Sequence, residues 1–447
     1  MSPPTVVVGA GLSGLAAAWA LSNAGAEVLV LESSDRAGGV VRSEKREGFL
    51  LETGPNTVRP TPELSRLIET LGLDGEVLRA DSRAKRYVDF EGELHAVPMS
   101  PGQLLSTRLL SAGAKLRLLG EPFRRAAPVS DESVRDFVAR RLGPEVADRL
   151  VEPFVAGIFA GNAGKISVSA AFPILTSAER DHGSLFGAIL ASSRSKRSGS
   201  AAPKGLLSFR EGLETLPRAL ASKLGSRFRT ETAVQSISPR ADGWTVRTGA
   251  GELDADRVVL AVPAPKAAEL VAGFAPEAAS ALAGIPQPPV VVLHLAWPDN
   301  ALARPLEGFG HLVCNGPGRR ILGAVWSSSL FPGRAPAGQV LMTVFMAGAR
   351  DPGAIKLSDH ELTELAARDL ASQGLVRGAG RALLVTRWRH AIPQYERGHE
   401  QRIAELAGAE ARWPGLHFLG NYRGGVSVGD VVRAGIEAGV SLSRPRP

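Results

Sequence analysis

Three glycines and one carboxylate near the N-terminus have the types and the spacing of a phosphate-binding turn. Residues Gly9-Ala10-Gly11-Leu12-Ser13-Gly14 match G-x-G-x-x-G, and Glu32 follows after about 20 residues. In such a turn the first glycine permits a sharp bend, the second lets a pyrophosphate approach the backbone, and the third lets helix and strand come close. A carboxylate at that distance accepts hydrogen bonds from ribose hydroxyls and repels a 2′-phosphate. The spacing therefore predicts a dinucleotide site that disfavours NADP.

The sequence around this turn supplies the elements that must position it. Thr5–Val8 is a β-branched run typical of a buried parallel strand, and Glu27–Leu31 predicts a second strand that leads into Glu32. Between them, Leu15–Ala24 predicts a helix that ends before Gly25. The N-terminus of that helix would direct N–H groups and a positive dipole end at a phosphate. A lone G-x-G-x-x-G is also typical of an ordinary glycine-rich turn, but the strand–helix–strand context predicts a Rossmann-type βαβ unit.

The residues after Glu32 indicate which dinucleotide is bound. The acid is followed by Arg36-Ala37-Gly38-Gly39, and this order resembles the R-x-G-G pattern of the FAD-containing amine oxidase and porphyrinogen oxidase superfamily. Arg36 would neutralise pyrophosphate charge with its planar fork, although a solvated turn residue is the alternative. The sequence has no second G-x-G-x-x-G preceded by a strand. We therefore predict one non-covalently bound FAD per chain, in an oxidase whose flavin is reoxidised by oxygen or a quinone.

Composition and charge limit the class of protein. The 447 residues are 44% hydrophobic and 22% charged, which fits two or three globular domains. The single cysteine, Cys314, excludes a disulfide framework within the chain, and the scattered histidines predict no metal site. A net charge of +7 suits an anionic membrane or an acidic substrate. No nucleic-acid recognition motif accompanies the charge, so we expect no nucleic-acid partner.

The N-terminus and the hydropathy of the chain bear on its location. No basic segment precedes the first strand, and no apolar run reaches the length of about 18 residues that a membrane span needs. We expect a cytoplasmic protein, either soluble or peripheral on the cytoplasmic face of the membrane. The sequence leaves the oligomeric state open, and a homo-oligomer is compatible with it.

The rest of the chain predicts an α/β plus α fold with a discontinuous cofactor domain. A β-meander and strand over Thr232–Pro263, and a strand, glycine turn and helix over Leu416–Ser441, are typical of segments that return to a Rossmann sheet. Strand-like stretches that alternate with Pro- and Gly-rich turns indicate an α+β domain. We predict a Rossmann-type FAD-binding domain of residues 1–85, 211–285 and 395–447, an α+β substrate-binding domain of residues 286–394, and a mainly helical domain of residues 86–210.

The helical segment has a pattern that suits a membrane surface. Leucines fall near one predicted helical face with cationic residues among them, namely Leu105, Leu109, Leu116 and Leu119 with Arg108, Lys115 and Arg117. A basic amphipathic helix binds the interface of an anionic membrane. A core helix whose basic residues are solvated fits the pattern as well. Residues 194–202 predict a flexible basic loop.

Further blocks of sequence, together with the first motif, resemble the oxygen-dependent protoporphyrinogen oxidases of haem synthesis over nearly the whole chain. The blocks are Glu52–Asn56, Arg86 with Gly92–Pro98, Phe159–Asn162, Gly308–Val313, Ile392–Tyr395 and Gly425–Asp430. The resemblance implies an FAD domain, a substrate domain and a helical membrane-associated domain. It also implies a flavin that oxidises a porphyrinogen in successive two-electron steps, with molecular oxygen as acceptor and hydrogen peroxide as product.

The resemblance further implies which residues surround the substrate and the cofactor. Arg86 would pair with a propionate of the porphyrinogen, and no catalytic base is assigned. Phe309, Leu312 and Phe345 would line the apolar site, and Gly157 would leave room on the opposite wall. From spacing alone, these positions fit ordinary surface or core residues. The residues expected at the FAD are Gly9, Ala10, Gly11, Leu12, Ser13, Gly14, Glu32, Ser33, Arg36, Gly39, Val40, Gly54, Pro55, Asn56, Thr57, Trp388, Asn421, Val426, Ser427 and Val428, with the Val234 backbone at the adenine end.

Three other functions stay open. A close relative of the same fold would act on coproporphyrinogen III, whose additional propionates need more cations. An amine or polyamine oxidase shares the first motif, but its aromatic cage needs several rings, and only Tyr395 and Tyr422 are tyrosines near the C-terminal block. A non-enzymatic flavin-binding scaffold would leave its flavin oxidised when a porphyrinogen is added.

The sequence departs from the resemblance at two positions. Asn421 stands where many relatives have a smaller residue. His95 stands where some relatives have arginine, and this leaves propionate binding to Arg86.

Overall fold

The computed structural model describes residues 3–124, 129–188 and 205–444, and the predicted basic loop at residues 194–202 lies outside them. The chain in these ranges forms a parallel sheet with helices on both faces, a larger mixed sheet, and a helical segment over residues 101–182. Shorter pieces join them: β3 (Ser43–Arg46) pairs with β4 (Phe49–Glu52), and β5 (Val77–Arg79) pairs with β8 (Leu207–Phe209). The helix α2 (Pro62–Thr70) lies between β4 and β5.

The parallel sheet draws its strands from three separate parts of the chain. Its order is β19-β13-β1-β2-β9, and its strands are β1 (Thr5–Val8), β2 (Val28–Leu31), β9 (Phe228–Arg229), β13 (Arg257–Leu260) and β19 (Leu416–Phe418). Alternate residues face two different cores: Val7 packs into one and Val6 into the other. The predicted strands around the first motif are confirmed, and so is the prediction that later segments of the chain, here β13 and β19, return to the same sheet. This sheet is the frame of a discontinuous Rossmann unit.

Two parallel helices lie side by side on one face of this sheet. The helix α1 (Leu12–Asn23) begins directly after the glycine turn, three residues before the predicted start, and α16 (Val428–Leu442) begins directly after Ser427. A Cβ atom on Gly435 would lie 2.5 Å from the backbone oxygen of Ser13, so a side chain at this position would collide with α1. The small residues of both helices therefore permit close packing, and the two N-termini lie at the same end of the sheet.

Helices and a three-stranded meander cover the opposite face. The meander is the predicted one and consists of β10 (Val234–Arg240), β11 (Gly243–Thr248) and β12 (Gly251–Ala255). The helices on this face are α11 (Ala264–Val271), α12 (Pro276–Ala283) and α15 (His399–Arg412), whereas α10 (Thr215–Leu224) packs in the same core as α1.

The larger sheet has one core face and one face towards the candidate site. Its order is β18-β14-β17-β16-β15-β6-β7, and its strands are β6 (Arg86–Phe90), β7 (Glu93–Ala96), β14 (Val290–Pro298), β15 (Gly310–Val313), β16 (Ile321–Val325), β17 (Gln339–Ala347) and β18 (Arg381–Trp388). The helix α14 (Asp359–Ser372) packs its Leu362 and Leu370 against the core face, and a short α13 (Ser327–Leu330) follows β16. Residues 86–96 were expected in the mainly helical domain, but they form β6 and β7 because β6 pairs in parallel with β15.

The helical segment begins at α3 and has its own core. Its helices are α3 (Pro101–Ser106), α4 (Ala112–Leu119), α5 (Val134–Arg141), α6 (Pro144–Val146), α7 (Glu152–Phe159), α8 (Val168–Ala171) and α9 (Pro173–His182), with a π-helical turn at Ala147–Val151. The prediction of one amphipathic face for the four leucines is wrong, because the chain turns extended at Thr107 and separates α3 from α4. Leu109 is fully buried, whereas Leu116 is 70% exposed. Of the helices that the structure describes, none has both the length and the apolarity to cross a membrane.

Candidate functional site

The glycine turn between β1 and α1 has the geometry that its spacing predicts. Gly9 has a φ of +101°, a conformation that side-chain-bearing residues rarely adopt. A Cβ on Gly14 would lie 2.2 Å from the backbone oxygen of Gly9, so this glycine permits the contact between helix and strand. A Cβ on Gly11 would meet no atom within 4 Å. Gly11 thus faces open space of the kind that a pyrophosphate would fill.

The N-terminus of α1 leaves its donors available to an anion. Gly11 is the N-cap, and within residues 3–124, 129–188 and 205–444 no side chain caps this helix and no acidic residue stands in its first turn. Leu12 and Ser13 therefore present backbone N–H groups at the open space, with the helix dipole adding positive potential. The residues present fit the phosphates of a dinucleotide.

Glu32 is held at the end of β2 by backbone and hydroxyl donors. One carboxylate oxygen accepts a hydrogen bond of 2.8 Å from the N–H of Ala10. The other accepts bonds of 2.9 Å from both the N–H and the hydroxyl of Ser34, and a longer bond of 3.3 Å from Ser33. The backbone oxygen of Glu32 accepts a 2.7 Å bond from the N–H of Thr232, two residues before Val234. The predicted ribose and adenine ends of the cofactor site therefore lie together.

Arg36 organises the loop beside the glycine turn. Its two terminal nitrogens donate to the carbonyl oxygens of Ala37, Gly39 and Val41 at 3.1, 2.7 and 3.1 Å, and one of them lies 3.7 Å from the carboxylate of Glu214. The guanidinium was expected as a free fork for the pyrophosphate, whereas the structure directs these donors at the loop. A Cβ on Gly39 would lie 3.3 Å from the Cα of Gly11, so the two glycine segments meet. Arg36 thus shapes the predicted phosphate site from behind.

The second group of predicted cofactor residues surrounds the segment after β4. A Cβ on Gly54 would lie 2.0 Å from the backbone oxygen of Val40, whose side chain is 45% exposed. The indole N–H of Trp388, at the end of β18, donates a 2.8 Å bond to the carbonyl of Thr53. Asn56 donates from its amide to the carbonyl of Gly54 at 3.1 Å. The structure therefore brings Val40, Gly54 and Trp388 together, with Pro55, Asn56 and Thr57 half-buried beside them.

The C-terminal block completes the candidate cofactor site. Ser427 caps α16: its hydroxyl accepts a 3.2 Å bond from the N–H of Asp430. Val428 packs into the same core as α1, and Val426 packs against the core of the helical segment. The backbone oxygen of Asn421 accepts a 2.8 Å bond from the hydroxyl of Tyr395. Its backbone, rather than its amide side chain, is thus the anchored part of Asn421.

Pairing register places the predicted substrate residues on one face of the larger sheet. Phe345 is opposite Gly323, and Gly323 is opposite Leu312. One strand further, Gly310 is opposite Arg86. Because side chains alternate between the faces of a sheet, these positions share the face that lies away from α14. Phe345 also packs in one apolar cluster with Trp388 and in another with Phe309, so an apolar wall extends from the candidate cofactor site to Arg86.

Arg86 ends this wall with a cation. Its guanidinium lies 5.4 Å from the ring centroid of Phe309 and, among the residues that the structure describes, forms no ion pair with a carboxylate. Burial, with the neighbouring cation Arg59 as a smaller cause, lowers the pKa of the Arg86 guanidinium from its usual range. The sequence prediction did not name Arg59, although it stands two residues after Thr57. An arginine in this place can bind a carboxylate at the edge of an apolar ligand.

The space beside Gly157, which was predicted to be open, is occupied by a side chain of the substrate face. A Cβ on Gly157 would lie 2.4 Å from a terminal methyl group of Leu312. The structure brings α7 against β15, and the Leu312 side chain fills the room that Gly157 was expected to leave. Opening this space requires another Leu312 rotamer or a shift of α7.

A buried polar cluster behind the site was not predicted from the sequence. Burial raises the pKa of the Glu52 carboxyl to about 7, although Ser43 and the N–H of Leu213 donate hydrogen bonds to it at 2.7 and 2.9 Å. Arg334 lies 3.7 Å from the same carboxylate. Burial lowers the pKa of His294 to about 4, and its Nε2 is 3.0 Å from the backbone oxygen of Glu52. The block Glu52–Asn56 was the available signal, but sequence cannot show burial of its first carboxyl.

The chain is similar over nearly its whole length to proteins of known family. The family model of flavin-containing amine oxidoreductases matches residues 12–440. The chloroplastic protoporphyrinogen oxidase of Oryza sativa subsp. japonica is 35% identical over 99% of this chain and 88% of that protein. The protoporphyrinogen oxidase of Homo sapiens is 35% identical over 100% of both proteins.

Solved structures share the fold. A crystal structure from Exiguobacterium sp. 255-15, to which a protoporphyrinogen oxidase function is attributed, has a TM-score of 0.83 at 24% identity over 99% of both chains. Cyclohexylamine oxidase from Brevibacterium oxydans IH-35A has a TM-score of 0.71 at 19% identity over 99% of both chains. At these identities the likeness is one of fold alone.

Proposed function

The chain belongs to the flavin-containing amine oxidoreductases and, within them, to the protoporphyrinogen oxidases, and from this premise we propose that it uses FAD to oxidise protoporphyrinogen IX to protoporphyrin IX with molecular oxygen as acceptor. Hydrogen peroxide is the other product. One observation carries the proposal: an apolar wall joins the candidate cofactor site to a cation. At one end of the wall, Arg86 has no acidic partner in the described part of the chain. At the other end, Trp388 is hydrogen-bonded beside the candidate cofactor site. A porphyrinogen, an apolar disc with carboxylates at one edge, matches that arrangement.

The proposed substrate residues bind and orient the macrocycle. Phe309 and Phe345 supply apolar surface, and Arg86 pairs with a propionate, which fixes the direction in which the disc enters. Leu312 moves from its contact with Gly157 when the ring binds. Bound FAD supplies the two-electron acceptor chemistry. The protein contributes placement and exclusion of water, so the proposal assigns no catalytic base.

The proposed cofactor residues divide between the two ends of the FAD. The backbone N–H groups of the turn from Gly11 to Ser13 bind the pyrophosphate, and Glu32 accepts from the ribose. The segment from Gly54 to Thr57 and the start of α16 would hold the flavin end. Arg36 is proposed to act through the loop carbonyls that it binds.

Coproporphyrinogen III is the alternative substrate, and a direct comparison decides between the two. Each chemically reduced porphyrinogen is added in air to the FAD-loaded protein, and porphyrin fluorescence and peroxide are followed against a protein-free control. We expect catalytic fluorescence growth with protoporphyrinogen IX and one peroxide for each electron pair removed. Faster turnover of coproporphyrinogen III would reassign the substrate, and no acceleration of either would overturn the proposal.

An amine oxidase activity is less well supported by the described geometry. Tyr395 and Tyr422 are 3% and 0% exposed, and their hydroxyls bond to the backbone oxygens of Asn421 and Leu260. Neither ring is therefore available to face a substrate cation as a cage requires. Peroxide formation from putrescine or cyclohexylamine would contradict this conclusion.

The helical segment is proposed to bind an anionic membrane surface. Its exposed apolar side chains include Leu116 at 70%, Leu119 at 57% and Phe123 at 89% exposure, with the exposed cations Arg108 and Arg117 nearby in sequence. Apolar side chains enter the interface while cations attract anionic headgroups. Sedimentation with anionic vesicles that salt weakens is the expected result. A protein that stays in the supernatant at low salt would overturn this part of the proposal.

A further inference from the structure

We propose that Tyr395 is a positioning residue of the cofactor site, because its hydroxyl fixes the turn that carries the C-terminal flavin residues. The hydroxyl donates a 2.8 Å hydrogen bond to the backbone oxygen of Asn421 and accepts a 3.0 Å bond from the N–H of Gly425. One buried group thus joins both ends of the turn between β19 and α16. The side chain is 3% exposed, so water does not compete for these two bonds.

The restraint matters most for the two glycines of the turn, since Arg423 already binds the carboxylate of Glu410 at 2.7 Å and so anchors the part before them. Gly424 and Gly425 have φ values of +79° and +123°, and glycine is the residue with the most backbone freedom in the unfolded chain. The carbonyl of Gly424 accepts only a long bond of 3.5 Å from Arg433. Ser427 then caps α16 directly after the turn. The Tyr395 hydroxyl therefore restrains the glycine segment that leads into the packed helix α16.

Tyr395 is itself fixed by the first residue of α15 and by the helical segment. Its ring stacks on His399 at 4.1 Å with an interplanar angle of 13°, and lies 6.0 Å from the ring of Phe159. Burial lowers the pKa of His399 to about 4, so the stacked imidazole is neutral at pH 7. The backbone oxygen of Tyr395 accepts a 2.8 Å bond from the N–H of Ser167. The phenol is therefore held by contacts that lie outside the turn.

Gln394, the residue before Tyr395, connects the cofactor turn to the substrate face. The amide of Gln394 donates 2.8 Å bonds to the carbonyls of Phe159 and Ile392. Phe159 ends α7, which carries Gly157 against Leu312. Two sequence blocks that had no assigned role, Phe159–Asn162 and Ile392–Tyr395, thus form one hydrogen-bonded unit between the substrate helix and the cofactor turn. This second half of the inference rests on the proposed substrate site, whereas the effect on FAD does not.

The test is FAD affinity in Tyr395→Phe, which keeps the ring and its stacking and removes only the hydroxyl. Without these two hydrogen bonds the turn must be ordered when FAD binds, so the Kd for FAD measured by titration of apoprotein should rise, by at most the factor of about 5 to 150 that two net hydrogen bonds are worth. The visible circular dichroism of the bound flavin should also change. Tyr422→Phe is the matched control: this residue lies in the same turn and is 0% exposed, and the bond that its hydroxyl donates, to the backbone oxygen of Leu260, is long at 3.4 Å. The control should bind FAD within about twofold of the wild type.

Wild-type FAD affinity and an unchanged flavin spectrum in Tyr395→Phe would overturn the proposal. If that variant does not fold, Gln394→Met decides, because it removes the bond to the Phe159 carbonyl that holds the segment of Tyr395 against the end of α7. It should weaken FAD binding, and unaltered affinity would again overturn the proposal. Both readouts use flavin binding and not turnover, so a failure of the porphyrinogen assignment leaves them unaffected.

Discussion

Replacing Gly11 by alanine separates cofactor binding from folding. In the protein without FAD the new Cβ would meet no atom within 4 Å, and the φ of −67° at Gly11 suits alanine, so the apoprotein should keep its free energy of unfolding within about 0.5 kcal/mol. The same methyl group occupies the space proposed for the pyrophosphate. Displacing the phosphate from one charged backbone hydrogen bond costs about 1.5–3 kcal/mol, which raises the Kd for FAD about 10- to 150-fold.

Gly14→Ala is the matched control for Gly11→Ala. Its Cβ would lie 2.2 Å from the backbone oxygen of Gly9 and 2.9 Å from the Cβ of Ala261, so overpacking should lower the stability of the apoprotein by about 1–3 kcal/mol. The assays are denaturant unfolding of both apoproteins and titration with FAD, followed by quenching of flavin fluorescence. A Gly11→Ala protein that binds FAD as tightly as the wild type would show that the pyrophosphate does not lie against this turn.

Three further predictions concern the substrate, the buried acid and the membrane face. Arg86→Ala should raise the KM for the porphyrinogen about 10- to 150-fold through loss of a charged hydrogen bond, with the FAD content unchanged; unaltered kinetics would remove Arg86 from the site. Glu52 has a pKa raised from 4.5 to about 7, so its stabilising contribution is complete below pH 4.5 and is lost as the pH rises through 7. Between those pH values the free energy of unfolding of the wild-type apoprotein should fall by at most about 3 kcal/mol, and in Glu52→Gln this fall should be absent. An equal fall in both proteins would contradict the raised pKa. Phe123, 89% exposed, should contribute to vesicle binding, so Phe123→Ser is expected to weaken sedimentation with anionic vesicles at least about 5-fold without loss of stability, and equal sedimentation would exclude this side chain from the contact.

The local parts of the fold were predictable from the sequence because their signals are local. The glycine spacing, the β-branched run of β1 and Glu32 predict a βαβ unit from residues that are close in sequence, and the structure has that unit. The meander and the return of β13 and β19 to the same sheet were also predicted, since buried parallel strands are short apolar runs. Periodicity and turn residues suffice for such elements.

The remaining features depend on contacts between distant parts of the chain. The pairing of β6 with β15 joins residues more than two hundred positions apart, and nothing near Arg86 in sequence indicates it. The extended backbone at Thr107 breaks a pattern that periodicity alone reads as one helical face. The Leu312 side chain fills the space at Gly157 because α7 packs on β15, and the burial of Glu52 likewise depends on tertiary packing.

Anaerobic mixing of the FAD-loaded protein with protoporphyrinogen IX tests the proposed reaction most directly, because it needs no terminal acceptor. Flavin absorbance and porphyrin fluorescence are recorded together in a stopped-flow experiment, with Arg86→Ala as the comparison. We predict that the oxidised flavin band bleaches as the substrate loses its first electron pair, more slowly in Arg86→Ala at limiting substrate, and that admitted oxygen restores the band. A flavin that stays oxidised in the presence of excess protoporphyrinogen IX would contradict the proposed function.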